Sequence, residues 1–251
     1  MLKRPLKQRM TGLLSNAGRG KPKAELAYDF LRDAVITMKL PPDATLAEKE
    51  LCAELGISRT PLREAVLRLA HEGLLTIVPG GGTYVNKISL RGVLQGHLVR
   101  SSIEFRIVRL AARAYNPEHD RDFDLLLYLQ EEANRRGDYD QALRVDTDFH
   151  RLLCRVAGFP DIWQIVHNAT GQLDRVRYRA FDKSGMTQEI VVEHRALYDA
   201  LRAKDGNRAH ALLRKHLDDI SHIIDFVRAS APEALLQEDD LDLEGLLASS
   251  G

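Results

Sequence analysis

The chain has 251 residues, 44% hydrophobic and 29% charged, which is enough for one large domain or two ordinary ones with a self-sufficient core. Two cysteines, Cys52 and Cys154, exclude a disulfide scaffold, and no apolar run approaches the roughly 18 residues of a membrane helix; a soluble protein of the reducing cytoplasm is expected. The net charge of zero conceals an asymmetry, because residues 1–88 hold 14 basic and 9 acidic side chains and the remainder 22 and 27, with eight of the nine histidines. A basic head before an acidic, histidine-rich body suggests a polyanion reader joined to a sensing or reacting module.

Residues 1–23 are basic, free of acids and without periodicity, and read as a disordered arm. From Glu25 the apolar positions Leu26, Phe30, Ala34, Ile36 and Met38 predict a helix that Pro41-Pro42 stops. Thr45 and Glu48 have capping-box spacing and open a short second helix ending near Gly56. Ser58 is placed to cap a third, on which Leu62, Val66 and Leu69 form the apolar face while Arg59, Thr60 and Arg63 lie opposite. Two β-rich runs, 74–78 and 83–85, bracket Pro79-Gly80-Gly81-Gly82 and predict a hairpin, so residues 24–87 read as a winged helix-turn-helix. Beyond a short joint, residues 88–230 show helical pattern throughout: about 90–115, 118–135, 138–157, 160–181, 186–204 and 207–229. That implies a mainly α protein whose second domain is an antiparallel bundle of six to seven helices. The acidic stretch 231–251 reads as a flexible tail.

In a helix-turn-helix the first turns of the second helix reach base edges, where arginine donates two hydrogen bonds to guanine. Arg59 and Arg63 are therefore candidates for base contact, with Lys49 and the amides near Gly80 on phosphates, although a charged stripe alone is equally consistent with a solvated face. The run from Leu46 to Val66, with Leu69, Glu72-Gly73-Leu74 and Gly80-Gly81-Gly82, closely resembles the winged helix of the GntR family of bacterial repressors. That resemblance implies operator contacts for Lys49, Ser58, Arg59, Thr60, Arg63 and the wing tip at Gly80, and a homodimer on palindromic DNA. Lys49 departs from the arginine frequent at its position, and a lysine ammonium is a point charge that does not make a two-pronged contact.

Downstream, Asp146 and His150 are four apart on one helix and can share a cation, while His194 and His216 fall on the fifth and sixth bundle helices; spacing alone equally allows a helix salt bridge. One carboxylate and three imidazoles suit zinc, or nickel or another transition metal, with positions left open. Asp146-Thr147-Asp148-Phe149-His150, Glu193-His194-Arg195-Ala196-Leu197 and His216-Leu217 resemble the ligand-binding (FCD-type) domain of the FadR subfamily. In its metal-binding branch the matching residues, Asp146, His150, His194 and His216, hold the ion, and a small carboxylic acid commonly completes the shell. Asp146 is preferred over Asp148, which points elsewhere around the helix. Arg100, in a stripe with His97 and Glu104, matches an arginine frequent in that domain and is a candidate acid partner, as are Gln172 and Arg179; a surface Arg100–Glu104 pair is the competing reading. The reading is a ligand-responsive regulator that performs no catalysis. Its alternatives are a metal-dependent hydrolase with Glu193 as base and a pure metal sensor.

Overall fold

The computed structural model describes residues 21–181, 186–218 and 220–238. Residues 1–20 of the basic arm and 239–251 of the acidic tail lie outside this range. The chain divides into two compact units between Lys87 and Ile88.

In the first unit α1 (Lys23–Ile36) packs on α3 (Arg59–His71), with the short α2 (Glu48–Leu55) alongside. Tyr28, Leu31 and Val35 of α1 meet Leu62, Val66 and Leu69 of α3, at the spacings that put one residue per turn on a single helix face. Gly56 turns α2 into α3 in the left-handed conformation (φ +62°). Strands β1 (Leu75–Val78) and β2 (Gly82–Val85) pair antiparallel, Leu75 opposite Val85 and Val78 opposite Gly82. Thr45 is a departure from expectation. It bridges to Tyr84, the flanking amides of Leu46 and Val85 pair across the same seam, and Ala47 takes the N-cap position without a side-chain bond. The capping box therefore does not form: Thr45 extends the wing, and Glu48 accepts from Thr83 instead. Ser58 does hold the N-cap position of α3, but its side chain makes no capping hydrogen bond.

The second unit holds eight α-helices among its described residues: α4 (Leu90–Ala114), α5 (Asp120–Arg136), α6 (Tyr139–Val156), α7 (Ile162–Ala169), α8 (Gly171–Phe181), α9 (Met186–Arg202), α10 (Gly206–Leu217) and α11 (Ile220–Ser230). The number exceeds six to seven because two expected helices are each broken, at Thr170 and beyond Leu217. Ser89, Asp138 and Asp205 cap α4, α6 and α10 by accepting backbone amides. The 25-residue α4 is the axis against which α6, α7, α8 and α10 pack. The core gathers Val108, Phe123, Phe149, Leu153, Leu201 and Leu213. No helix is long and apolar enough to cross a membrane among the described residues.

The start of the expected loose tail is held in place. After a 3-10 turn at Pro232–Ala234, Ile88 donates to Ala234 and Leu236 to Ile88, and Glu238 accepts from the Ser89 hydroxyl and the Arg91 amide. A carboxylate at the first turn of α4 meets the positive end of its dipole.

Candidate functional site

The first unit presents Lys49, Ser58, Arg59, Thr60, Arg63 and Gly80 on its surface, all exposed. The phase of α3 accounts for this: Leu62, Val66 and Leu69 are consumed by the core, leaving Arg59, Thr60 and Arg63 outward. Gly80, at φ +71°, sits in the turn of the wing, a conformation that favours glycine.

In the second unit Asp146, His150, His194 and His216 come together, with one ligand atom from each within 4.8 Å of the others. The first three are fully buried and His216 nearly so. Helix α6 supplies Asp146 and His150 from one face, α9 supplies His194, and the last turn of α10 supplies His216. Asp148, two residues on, is half-exposed and paired with Arg151.

Each imidazole has one nitrogen engaged with an oxygen. His150 Nδ1 lies 2.5 Å from Glu104, His194 Nδ1 3.0 Å from the Gln130 amide oxygen, and His216 Nδ1 2.8 Å from Glu193. With each Nδ1–H donating, every Nε2 carries a lone pair, and these converge: His150 and His216 face each other through Nε2 at 3.3 Å, and His194 Nε2 lies 3.7 Å from Asp146 Oδ1. Two lone pairs at that separation repel unless something positive lies between them. Asp146 divides its oxygens, Oδ2 accepting from Arg177 at 2.5 Å while Oδ1, like His194 Nε2, is buried with no hydrogen-bond partner among the described residues. Phe149 stacks on the His194 ring at 3.9 Å and fixes its plane.

Protonation states follow from these surroundings. Burial alone would raise the Asp146 carboxyl, but Arg177 and its other cationic neighbours outweigh it and hold it well below the usual range. Burial also pushes His150 and His194 down, toward the neutral form that a metal requires. Glu104 would likewise rise on burial, yet its hydrogen bonds and charge contacts with His150 and Arg100 bring it to about 2.

Beside the cluster lies a cavity of about 620 Å³, lined by Arg100, Arg177, Lys215 and His216 together with His97, Leu173, Phe181 and Ile223. Arg100 donates to Glu104 at 2.8 Å and its Nη2 is buried without a partner among the described residues. The pair is thus a buried one and no surface bridge. Gln172 and Arg179 do not line the cavity. Gln172 accepts from Arg175 instead, while Leu173, Arg177 and Phe181, one turn apart on α8, take the cavity face. The sequence reading takes 160–181 as one helix, and the break at Thr170 shifts the phase of α8 against α7. Glu193, the base of the hydrolase alternative, is bound to His216 Nδ1 and so orients that ring.

The arrangement of a winged unit before a histidine-bearing bundle is matched in known proteins. Residues 23–85 match the model for bacterial regulatory proteins of the gntR family, and residues 97–219 match the FCD domain. The chain is 32% identical over 208 residues, 83% of its length and 91% of the relative's, to the HTH-type transcriptional repressor RspR of Escherichia coli strain K12. The chain belongs to the gntR family. Over 77% of its length it is 30% identical to the probable D-xylose utilization operon transcriptional repressor of Paenarthrobacter nicotinovorans, covering 85% of that protein. Among solved structures, E. coli McbR/YncC superposes with a TM-score of 0.73 at 22% identity, covering 82% of this chain and 99% of that one, a likeness of fold. This gntR-family member is therefore a transcriptional regulator with an FCD domain and no enzyme.

Several residues of its site carried no sequence signal strong enough to be singled out. Glu104 was visible only as a neighbour of Arg100 in the α4 stripe, and Gln130 not at all, because a partner on a separate helix leaves no spacing pattern. Arg177 had one: an arginine with apolar residues four positions away on both sides, Leu173 and Phe181.

Proposed function

We propose that this gntR-family protein is a homodimeric repressor whose bundle binds a divalent metal, zinc in the first instance, and a small carboxylic acid that modulates its grip on a palindromic operator, in the manner of the metal-binding FadR branch. The observation that carries the reading is the convergence of Asp146 Oδ1 and three imidazole Nε2 atoms, two of these four atoms buried without a partner among the described residues, beside a cavity lined by arginines. Asp146, His150, His194 and His216 are the metal residues, and Glu104, Gln130 and Glu193 keep the rings turned the right way. A bound cation supplies positive charge and open positions for an anionic ligand. Arg100 is the anion partner proposed in the cavity, with Arg177 in place of Gln172 and Arg179.

On the other unit, Arg59 and Arg63 are assigned to guanine edges, Ser58 and Thr60 to the adjoining backbone or bases, and Lys49 and the Gly80 turn to phosphates. The relatives named as repressors support repression as the output. A ligand alters operator affinity only by binding two arrangements of the protein unequally. The test is an operator titration with zinc-loaded protein against a panel of small carboxylates, in which one acid shifts affinity by about 5-fold to 150-fold. Identical affinities across the panel exclude the acid-responsive reading, and control by a chelator alone points to the ion as the signal.

A further inference from the structure

Glu104 has a place in this network that a set of metal residues by itself does not require. It is completely buried in α4, one turn beyond Arg100, and its two oxygens serve different sides of the site. Oε1 accepts from Arg100 Nε at 2.8 Å, and Oε2 lies 2.5 Å from His150 Nδ1. Arg100 in turn lines the cavity and keeps a buried Nη2 without a partner among the described residues. One carboxylate is therefore shared between an arginine open to an anion and an imidazole of the cation cluster.

We propose that Glu104 is a positioning residue that couples the two ligands, so that an anion taken up by Arg100 tightens the cluster's hold on the metal and the metal tightens the hold on the anion. The inference rests on the metal-and-acid reading above. A carboxylate hydrogen-bonded to the far nitrogen of an imidazole orients the ring and makes its free nitrogen a stronger donor. As long as Arg100 is unneutralised, its charge draws on the same carboxylate and also repels a nearby cation, in an interior where charges act strongly on one another. An anion on Arg100 cancels that charge and leaves Glu104 to His150. Thermodynamic linkage then requires the metal to strengthen anion binding by the same factor. The competing view is that Glu104 merely neutralises a buried arginine, which makes it a matter of folding stability alone.

The two views predict different signs in a zinc titration of the full chain, read by competition with a chromophoric chelator for wild type, Glu104→Gln and Arg100→Gln. The melting temperature of each metal-free protein is recorded as a control. With coupling, Glu104→Gln weakens zinc binding by about 10-fold to 100-fold, the range for partners of metal-bound histidines. Arg100→Gln, which removes the charge as a bound anion would cancel it, leaves zinc binding as tight as in wild type or tighter by severalfold. Glu104→Asp, which retains the carboxylate, recovers part of the loss. Zinc affinity in Glu104→Gln within twofold of wild type, or equal weakening in Glu104→Gln and Arg100→Gln, overturns the coupling while leaving the metal reading intact. Absence of zinc binding by the wild type overturns both.

Discussion

Asp146 gives one oxygen to Arg177 and keeps the other beside His194, so a single substitution separates its two duties. Asparagine retains the shape and a hydrogen bond to Arg177 but removes the charge that the cluster needs. Ligand binding to the native state alone stabilises it by about 2.7 kcal/mol at 100 times the dissociation constant. Zinc is accordingly expected to raise the melting temperature of the wild type and to leave Asp146→Asn nearly unchanged; an equal rise in both proteins removes Asp146 from the metal set. On the DNA unit, Arg63 is exposed and makes no ion pair among the described residues. Arg63→Ala should cost about 1–3 kcal/mol of operator binding, concentrated at one base pair. A binding profile over single-base operator variants checks it, and a uniform loss across all of them reassigns Arg63 to the phosphates.

At the scale of elements, α4 approaches its neighbours closely because Gly96 has no side chain. A Cβ there would lie 2.8 Å from the Ala169 carbonyl oxygen and 3.3 Å from Thr170 Cα, both backbone. Gly96→Ala is therefore expected to lose about 1–3 kcal/mol by overpacking. Chemical denaturation measures it, and an unchanged midpoint shows that the helices can part without cost. This crossing also explains which parts of the bundle were legible. Helix ends marked by Gly137 or capped by Asp205 were readable, since those residues carry their own backbone preference. The break at Thr170 carries no proline, and although Gly171 follows it the apolar pattern runs on through α7 and α8, so the sequence reads as one helix and places Gln172 and Arg179 at a cavity they do not line. Thr45 was misread for a related reason: its capping-box spacing is local, whereas its pairing with Tyr84 is a long-range contact. The metal candidates divide in the same way. The four-residue step from Asp146 to His150 is a property of one helix, but His194 and His216 could be joined to it only through family resemblance.

For the whole molecule, the charge asymmetry of the sequence has a measurable consequence, because a basic head meets a polyanion by releasing its counterions. The logarithm of operator affinity should fall linearly with the logarithm of salt concentration, by about 0.9 per phosphate contact. Lys49→Ala should reduce that slope by about one contact while leaving sequence preference intact. An unchanged slope assigns Lys49 to solvent.

The bond between Ser89 and Glu238 closes a loop across 149 positions and brings the C-terminal stretch back to the first residues of the bundle. The amide protons of Ile88 and Leu236 are each held by this closure and serve as natural reporters of its opening. In native-state hydrogen exchange both should be slow in the intact chain and speed up together in Glu238→Ala, ahead of global unfolding. Any truncation or substitution that removes this closure would then loosen the entry to α4.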